Sequence, residues 1–287
     1  MKLKMIDAFS GIGGFSYAAE KLVGGFETTQ FIEINPFCQK ILNKHWSHVP
    51  IHDDITTFTA KSGEFDIITG GFPCQDLSQA GNRKGISETT RSGLWFELIR
   101  TIRMVRPKYF ILENVSAILA NGMDIVLRDI FETGLYECEW CCIPSSFVGA
   151  CHQRDRWFLL GFARSIRTSD VTNSNNNGSS SSKKLRVNGK TNTSTQKGQN
   201  QTCQSERSSE SRNSTTIQST TKWRDTKHKL NPKWRGWGIK PTIRRANDGV
   251  SSRIYRNPRI KALGNSVVPQ VAAIPLQRVL DLQKNYG

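Results

Sequence analysis

Along the first 163 residues, short apolar runs alternate with amphipathic stretches and with turns rich in glycine. Residues 3–8 (LKMIDA) predict a short buried strand. A glycine-rich turn, residues 9–15, follows it, and residues 16–23 predict a helix. Residues 28–34 predict a second strand that carries Glu33 near its end. Pro36 suits the first turn of a helix running to Trp46, because a proline there gives up only an N–H that has no partner. Residues 65–69 read as a strand without charge after Asp66. Residues 93–105 place Leu94, Leu98, Ile102 and Val105 on one stripe, which predicts an amphipathic helix ended by Pro107. Residues 109–112 form a strand leading into Glu113; 125–131 are helical, 136–142 extended, and 157–162 another strand. Strands alternating with helices predict an α/β fold with a doubly wound, mostly parallel sheet.

The pattern stops near Arg164. From 165 to 222 only Ile166, Val171, Leu185, Val187, Cys203 and Ile217 are apolar. Such a stretch buries too little apolar surface to offset its ordering entropy, so disorder is expected. Order is expected to return with Trp223, Trp234 and Trp237, and residues 267–282 predict a final helix with Pro269 in its first turn. The chain shows no internal repeat.

Charge sharpens this division. The 287 residues carry a formal net charge of +16. Residues 1–160 hold 16 Lys/Arg against 18 Asp/Glu, whereas 161–287 hold 24 against 6. A basic C-terminal part joined to a balanced N-terminal part points to a nucleic-acid partner for one and chemistry for the other. A membrane surface is the competing partner, but no basic amphipathic helix with a bulky apolar face stands out. No uncharged apolar run approaches a membrane span, and residues 1–7 do not read as a secretory leader. Seven cysteines without regular pairing suit a soluble protein of a reducing compartment.

The run from Gly70 to Gly81 places Cys74 behind Pro73 at the carboxyl end of a predicted strand, where open α/β sheets bind ligands. Pro73 restricts the backbone on both sides, so the thiol sits on a defined chain, with a glycine- and serine-containing loop after it. A nucleophile under a lid has this layout; a buried packing cysteine is the alternative. The turn from Asp7 to Gly14 suits close approach of a nucleotide-like ligand, and Glu33 stands where an acid can take ribose hydroxyls. Asp53-Asp54-Ile55 adds an acceptor for an adenine amino group. Glu113 ends a strand parallel to the one before Cys74 and faces the same crevice. Arg154 and Arg156 alternate on an extended segment and are expected to point together, onto an oxyanion or into salt bridges. Cys138, Cys141, Cys142, Cys151 and His152 could be read as a zinc set, but strand alternation separates Cys141 from Cys138 and Cys142. No metal is expected.

In order and spacing, these segments resemble the DNA cytosine-5 methyltransferases. The matching pieces are residues 7–14, Glu33, Asp54-Ile55, Gly71-Phe72-Pro73-Cys74-Gln75 and Arg91-Ser92-Gly93-Leu94-Trp95. They continue with Glu113-Asn114-Val115, Gln153-Arg154-Asp155-Arg156 and residues 264–269. The resemblance covers residues 1–163 and 240–287. It implies a Rossmann-like sheet that binds S-adenosylmethionine, beside a smaller, partly disordered target-recognition region. The implied organisation is a catalytic domain over 1–163, a low-complexity insert over 164–222, a recognition region over 223–263 and a returning helix over 264–287.

The resemblance assigns catalysis to Cys74, Glu113, Arg154 and Arg156. It assigns the cofactor to Phe9, Gly11, Gly13, Gly14, Glu33, Ile34, Asp54, Ile55, Pro73, Leu94, Asn265 and Ser266. A cytosine flipped from duplex DNA is the implied substrate. Gln75, Ser78, Arg83, Lys84, Arg244, Arg245 and Arg253 are the expected DNA contacts. A monomer is expected, with a cognate restriction endonuclease acting separately, in the cytoplasm of a prokaryote or encoded by a phage or mobile element. Cys151 stands where relatives often carry proline, and the recognition region is poor in apolar residues. An RNA cytosine methyltransferase, though the Cys-Phe-Thr signature of that branch is not seen, and a DNA-binding protein that no longer catalyses remain as alternatives.

Overall fold

The structure, a computed structural model, describes residues 1–73, 93–168, 218–219 and 253–286. Within these residues one sheet runs through the molecule. Its strands are β1 (Leu3–Ala8), β2 (Phe26–Ile32), β3 (Ile51–His52), β4 (Ile67–Gly71), β5 (Tyr109–Val115), β6 (Tyr136–Ile143), β7 (Arg156–Ala163) and β8 (Gln218–Ser219). Their spatial order is β3-β2-β1-β4-β5-β7-β6-β8. From β3 to β5 every pairing is parallel. The chain winds outward from β1 in both directions, which opens a crevice at the carboxyl ends of β1 and β4.

The sheet is mostly parallel, as expected, with one antiparallel strand toward one edge. β7 inserts between β5 and β6 and pairs antiparallel with both. The link from β6 to β7 holds only a 3₁₀ turn (Ser145–Val148) and irregular chain, with no crossover helix to reverse direction.

Helices cover both faces. They are α1 (Gly14–Tyr17), α2 (Pro36–His45), α3 (Leu94–Val105), α4 (Ile118–Asn121), α5 (Met123–Glu132), α6 (Ser165–Thr168), α7 (Arg253–Asn265) and α8 (Pro269–Tyr286). α1 runs on into a π-helical stretch, Ala18–Val23, inside the expected helix. α2 starts as its sequence requires: the Asn35 side chain accepts from the Phe37 N–H at 2.9 Å, and Pro36 takes the first position. α3 closes on Arg106 in the left-handed region (φ 49°), and Pro107 prevents its continuation.

One face of the sheet packs Ile6, Ile68, Phe110 and Leu112 against Trp95, Leu98 and Ile102 of α3 and Val126 of α5. The other packs Met5, Ile67, Ile111 and Leu160 against Phe15 and against Val271, Ala272, Ile274 and Val279 of α8. α8 is further fixed by a forked ion pair from Arg278 to Glu139 on β6, with Nε at 2.7 Å from Oε1. Cys138 and Cys142 pack on the first face and Cys141 on the second, as alternation requires. No helix among the described residues is long and apolar enough to cross a membrane.

A buried carboxylate joins three of these elements. Asp7 on β1 accepts from the Ser16 N–H (3.2 Å) and hydroxyl (2.7 Å) on α1, and from the Thr69 hydroxyl on β4 at 3.1 Å. Burial is the largest influence on this carboxyl and pushes it up to about 7, against the three donors, which favour its charge. A carboxyl raised above its unfolded value takes up a proton on folding. Its stabilising contribution is full at low pH and is lost as pH rises through about 7. Asp7→Asn preserves shape: its oxygen can serve Ser16, and its amide can donate to the Thr69 hydroxyl. The unaltered chain is therefore expected to lose thermal stability relative to Asp7→Asn between pH 5 and 8, measured as melting temperature against pH. Parallel curves would contradict this role for Asp7.

Candidate active site

A cavity of about 750 Å³ occupies the crevice at the strand ends. At one end, Phe9 (φ 53°) and Gly11 (φ 55°) turn the chain after β1 through the left-handed region. The Gly11 N–H donates to Glu33 Oε2 at 2.7 Å, and the Asn35 N–H donates to Oε1 at 2.8 Å. Each oxygen of Glu33 is thus held by one backbone donor and keeps a lone pair for a ligand. Asp54 is fixed through the Thr56 N–H at 2.9 Å. Arg100 on α3 secures the loop after Asp54: its guanidinium donates to the carbonyls of Ile55 (2.7 Å), Thr56 and Phe58, and pairs with Glu97 at 2.6 Å.

The donor set favours an adenosyl group over a dinucleotide. A pyrophosphate needs free N–H groups at the glycine turn, and here Gly11 donates to Glu33 and Gly13 donates to the Ser10 carbonyl. Among the described residues, the cavity is lined by four acids, Glu33, Asp53, Asp54 and Glu113, and two bases, Arg156 and Lys261. That balance suits a ligand that is cationic and rich in donors. Ile34 lies 70% exposed in the cavity wall, where it offers an aliphatic face to a planar ring.

At the other end, Glu113, near the carboxyl end of β5, pairs with Arg156 at 2.9 Å. Gly71 lies opposite on β4, and a Cβ there would stand 3.0 Å from Glu113 Oε2, a tight contact that would press on this carboxyl. Burial pushes the Glu113 carboxyl up, while the charges of Arg156 and Arg154 and the Arg156 hydrogen bond oppose the shift. Asn114 donates to the Phe72 carbonyl at 3.3 Å. It thereby fixes the backbone that leads through Pro73 toward Cys74.

Of the residues expected at the cofactor, the cavity is lined by Phe9, Gly11, Glu33, Ile34, Asp54, Ile55, Pro73, Leu94 and Asn265. Gly13, Gly14 and Ser266 lie behind its wall. A Cβ on Gly13 would meet the Trp46 ring at 2.7 Å, and one on Gly14 would meet Val267 Cγ1 at 2.7 Å and Ser266 Oγ at 3.2 Å. These two glycines admit close packing of α2 and of the returning chain, and need not touch a ligand.

The two arginines part company. Arg156 turns to Glu113, whereas an Arg154 Nη2 donates to the carbonyls of Gly264 (2.8 Å) and Ser266 (2.7 Å). Arg154 has φ 34° and precedes β7, so the extended alternation that would align the pair is broken between them. Cys74, Gln75, Ser78, Arg83, Lys84, Arg244 and Arg245 lie outside the described residues, and of Arg253 only its place at the start of α7 is described. Residues 169–217 and 220–252, most of the expected insert and recognition region, lie outside as well.

Sequence reasoning passed over four residues of this site. Asn114 was within reach, since it sits inside the Glu-Asn-Val motif. Arg100 carried only the weak signal of a Glu97 partner three residues away. Lys261 and Cys38 line the cavity without any local pattern that marks them, and the Cys38 thiol is pushed up to about 11, by burial first and by Glu33 second.

A family profile described as C-5 cytosine-specific DNA methylase matches residues 3–259. The chain is similar to the Type II methyltransferase M.CviJI of Paramecium bursaria Chlorella virus IL3A, 35% identical over 175 residues that cover 60% of this chain and 46% of that one. It is similar to the orphan methyltransferase M.SPRI of Bacillus phage SPR, 31% identical over 58% of this chain and 39% of that one. A third relative, the Type II methyltransferase M1.ScrFI of Lactococcus lactis subsp. cremoris, is 36% identical over 57% of this chain and 42% of that one. The chain thus spans under half the length of these relatives. With the profile running through both ends of the cavity and into α7, the chain belongs to the C-5 cytosine-specific DNA methylase family.

Proposed function

We propose that this protein transfers a methyl group from S-adenosylmethionine to C5 of a cytosine flipped out of a specific duplex DNA sequence, through a covalent adduct of Cys74 with C6. One observation carries this reading. A single cavity is lined at one end by Glu33, Ile34 and Asp54 and at the other by the Glu113–Arg156 pair, with Pro73, the neighbour of Cys74, in its wall.

When bound, S-adenosylmethionine supplies a methyl group on a positively charged sulfur. Glu33 would accept from its ribose hydroxyls and Asp54 from its adenine amino group, with Phe9, Ile34 and Ile55 as the apolar wall for the ring. Cytosine C5 is a weak nucleophile until a second nucleophile adds at C6. Cys74, as thiolate, forms the bond to C6, and Glu113 donates its proton to N3, so the electron pair of the C5–C6 double bond becomes available at C5. The raised Glu113 carboxyl suits that donation, because it keeps its proton at a pH where an ordinary carboxyl has lost it. Arg156, already bound to Glu113, orients this acid at the N3 edge and itself binds the O2 side of the base. After C5 takes the methyl group, its proton leaves to a base, the Cys74 thiolate is expelled, and the N3 proton returns to Glu113. The target carbon is sheltered in stacked duplex DNA, so the base must leave the stack first. The basic residues concentrated in 161–287 supply the phosphate contacts that hold the DNA.

Bisulfite sequencing of DNA from cells expressing the chain, beside a Cys74→Ser control, tests the reading. Methylcytosine is expected in one short sequence and absent in the control. Its absence from both, with soluble protein that binds the cofactor, would move the substrate to RNA or leave a protein that binds without catalysing. Glu113→Gln removes the acid while keeping its shape, and is expected to slow single-turnover methyl transfer by about 10²–10⁴-fold. The unaltered enzyme should also lose rate on the alkaline side as Glu113 gives up its proton, and the Gln variant should lack that limb. An unchanged pH profile in the variant would remove Glu113 from the proton transfer.

A further inference from the structure

The roof of the cavity comes from the far end of the chain. Pro258, Lys261, Ala262, Gly264 and Asn265 of α7 line it. The described part of this helix is lightly packed. Among its side chains whose placement is described, only Ala262 is buried, and Leu263 is 62% exposed. α8 is the opposite: Val271, Ala272, Ile274, Leu276 and Val279 are buried in the sheet face, and Arg278 is forked to Glu139. Between a loose helix and a docked one lies the hinge at 264–268. There an Arg154 Nη2 donates to the carbonyls of Gly264 and Ser266, the two residues that flank Asn265. Arg154 holds a left-handed backbone, uncommon for a residue with a side chain, and its own carbonyl accepts from the Ser145 hydroxyl at 3.3 Å. A backbone kept in a sparsely populated region points to a constraint imposed for function.

We infer that Arg154 is a positioning residue for cofactor binding, whose guanidinium clasps the chain on both sides of Asn265, aims Asn265 into the cavity and holds α7 down as its roof. The inference rests on the cofactor reading above. It gives the Gln-Arg-Asp-Arg segment two tasks: Arg156 serves the base end of the cavity, and two residues earlier Arg154 serves the cofactor end. A charged donor on two carbonyls makes stronger hydrogen bonds than a neutral one, so removing it should loosen the roof while α8 stays docked.

The test uses the full chain, without DNA, and S-adenosylhomocysteine as a probe that cannot turn over. Arg154→Met is expected to bind the probe at least about tenfold more weakly by calorimetry, because two charge-assisted bonds are lost. Arg154→Lys keeps a charged donor and should recover part of that loss. Without ligand, amide hydrogen exchange in Arg154→Met should accelerate over residues 262–266, where the Ser266 N–H donates to Ala262, and stay unchanged over 271–282. Probe affinity within twofold of the unaltered chain, or exchange that accelerates equally across 271–282, would overturn the clasp. Failure of the unaltered chain to bind the probe would overturn the cofactor reading instead, and the exchange comparison at the hinge would still decide the role of Arg154.

Discussion

Carboxylates buried at the ends of neighbouring strands are the constraint on which this site depends. A charge removed from water must find donors or give up its ionisation. Asp7, Glu33 and Glu113 are all buried, on or just after β1, β2 and β5, and each meets the requirement differently. Asp7 gathers two hydroxyls and a backbone N–H, and so ties β1 to α1 and β4. Glu33 takes backbone N–H groups from the glycine turn and from the residue before α2. Glu113 takes a guanidinium. The first solution ties the strands of the crevice together, the second leaves carboxylate oxygens in the cavity wall, and the third sets burial, which raises the carboxyl, against two arginine charges, which lower it.

Much of this was legible because strand ends have chemical meaning in an open α/β sheet. Apolar runs put Glu33, Glu113 and Pro73 at strand ends, Asp54 is marked by its motif, and all four line one cavity. What the pattern could not carry was direction and hinge geometry. An apolar strand reads the same whether parallel or antiparallel, so the reversal of β7 was hidden. Alternation assumes an extended chain, and with a left-handed residue at Arg154 the two guanidiniums take different hydrogen-bond partners, the carbonyls of Gly264 and Ser266 for one and Glu113 for the other. α7 escaped notice because its described side chains are mostly exposed, leaving little apolar periodicity to detect. The glycines of the first turn were read as room for a ligand, and two of them are room for Trp46 and Val267. A glycine marks close approach, but not what approaches.

The electrostatics of the chain are divided by task. The cavity wall is mainly acidic, whereas the formal charge of 161–287 is strongly basic. A polyanion would be drawn to the second and repelled by the described acids of the first. Arg156 and Lys261 are the exceptions on the cavity wall, and Arg156 is already engaged by Glu113.

The docking of α8 against the sheet also bears on how the protein comes into being. Its buried face completes a core begun by Leu3, Met5 and Phe15, more than 250 residues earlier in the chain. During synthesis that side of the sheet stays uncovered until the polypeptide has emerged past Leu282, and the cavity has no roof before Asn265. A nascent or truncated chain therefore exposes apolar strands to other chains and to the chaperones that shield them. Competence to hold a ligand therefore waits on residues far downstream of the strands that form the rest of the cavity, and does not grow in proportion to the length already made.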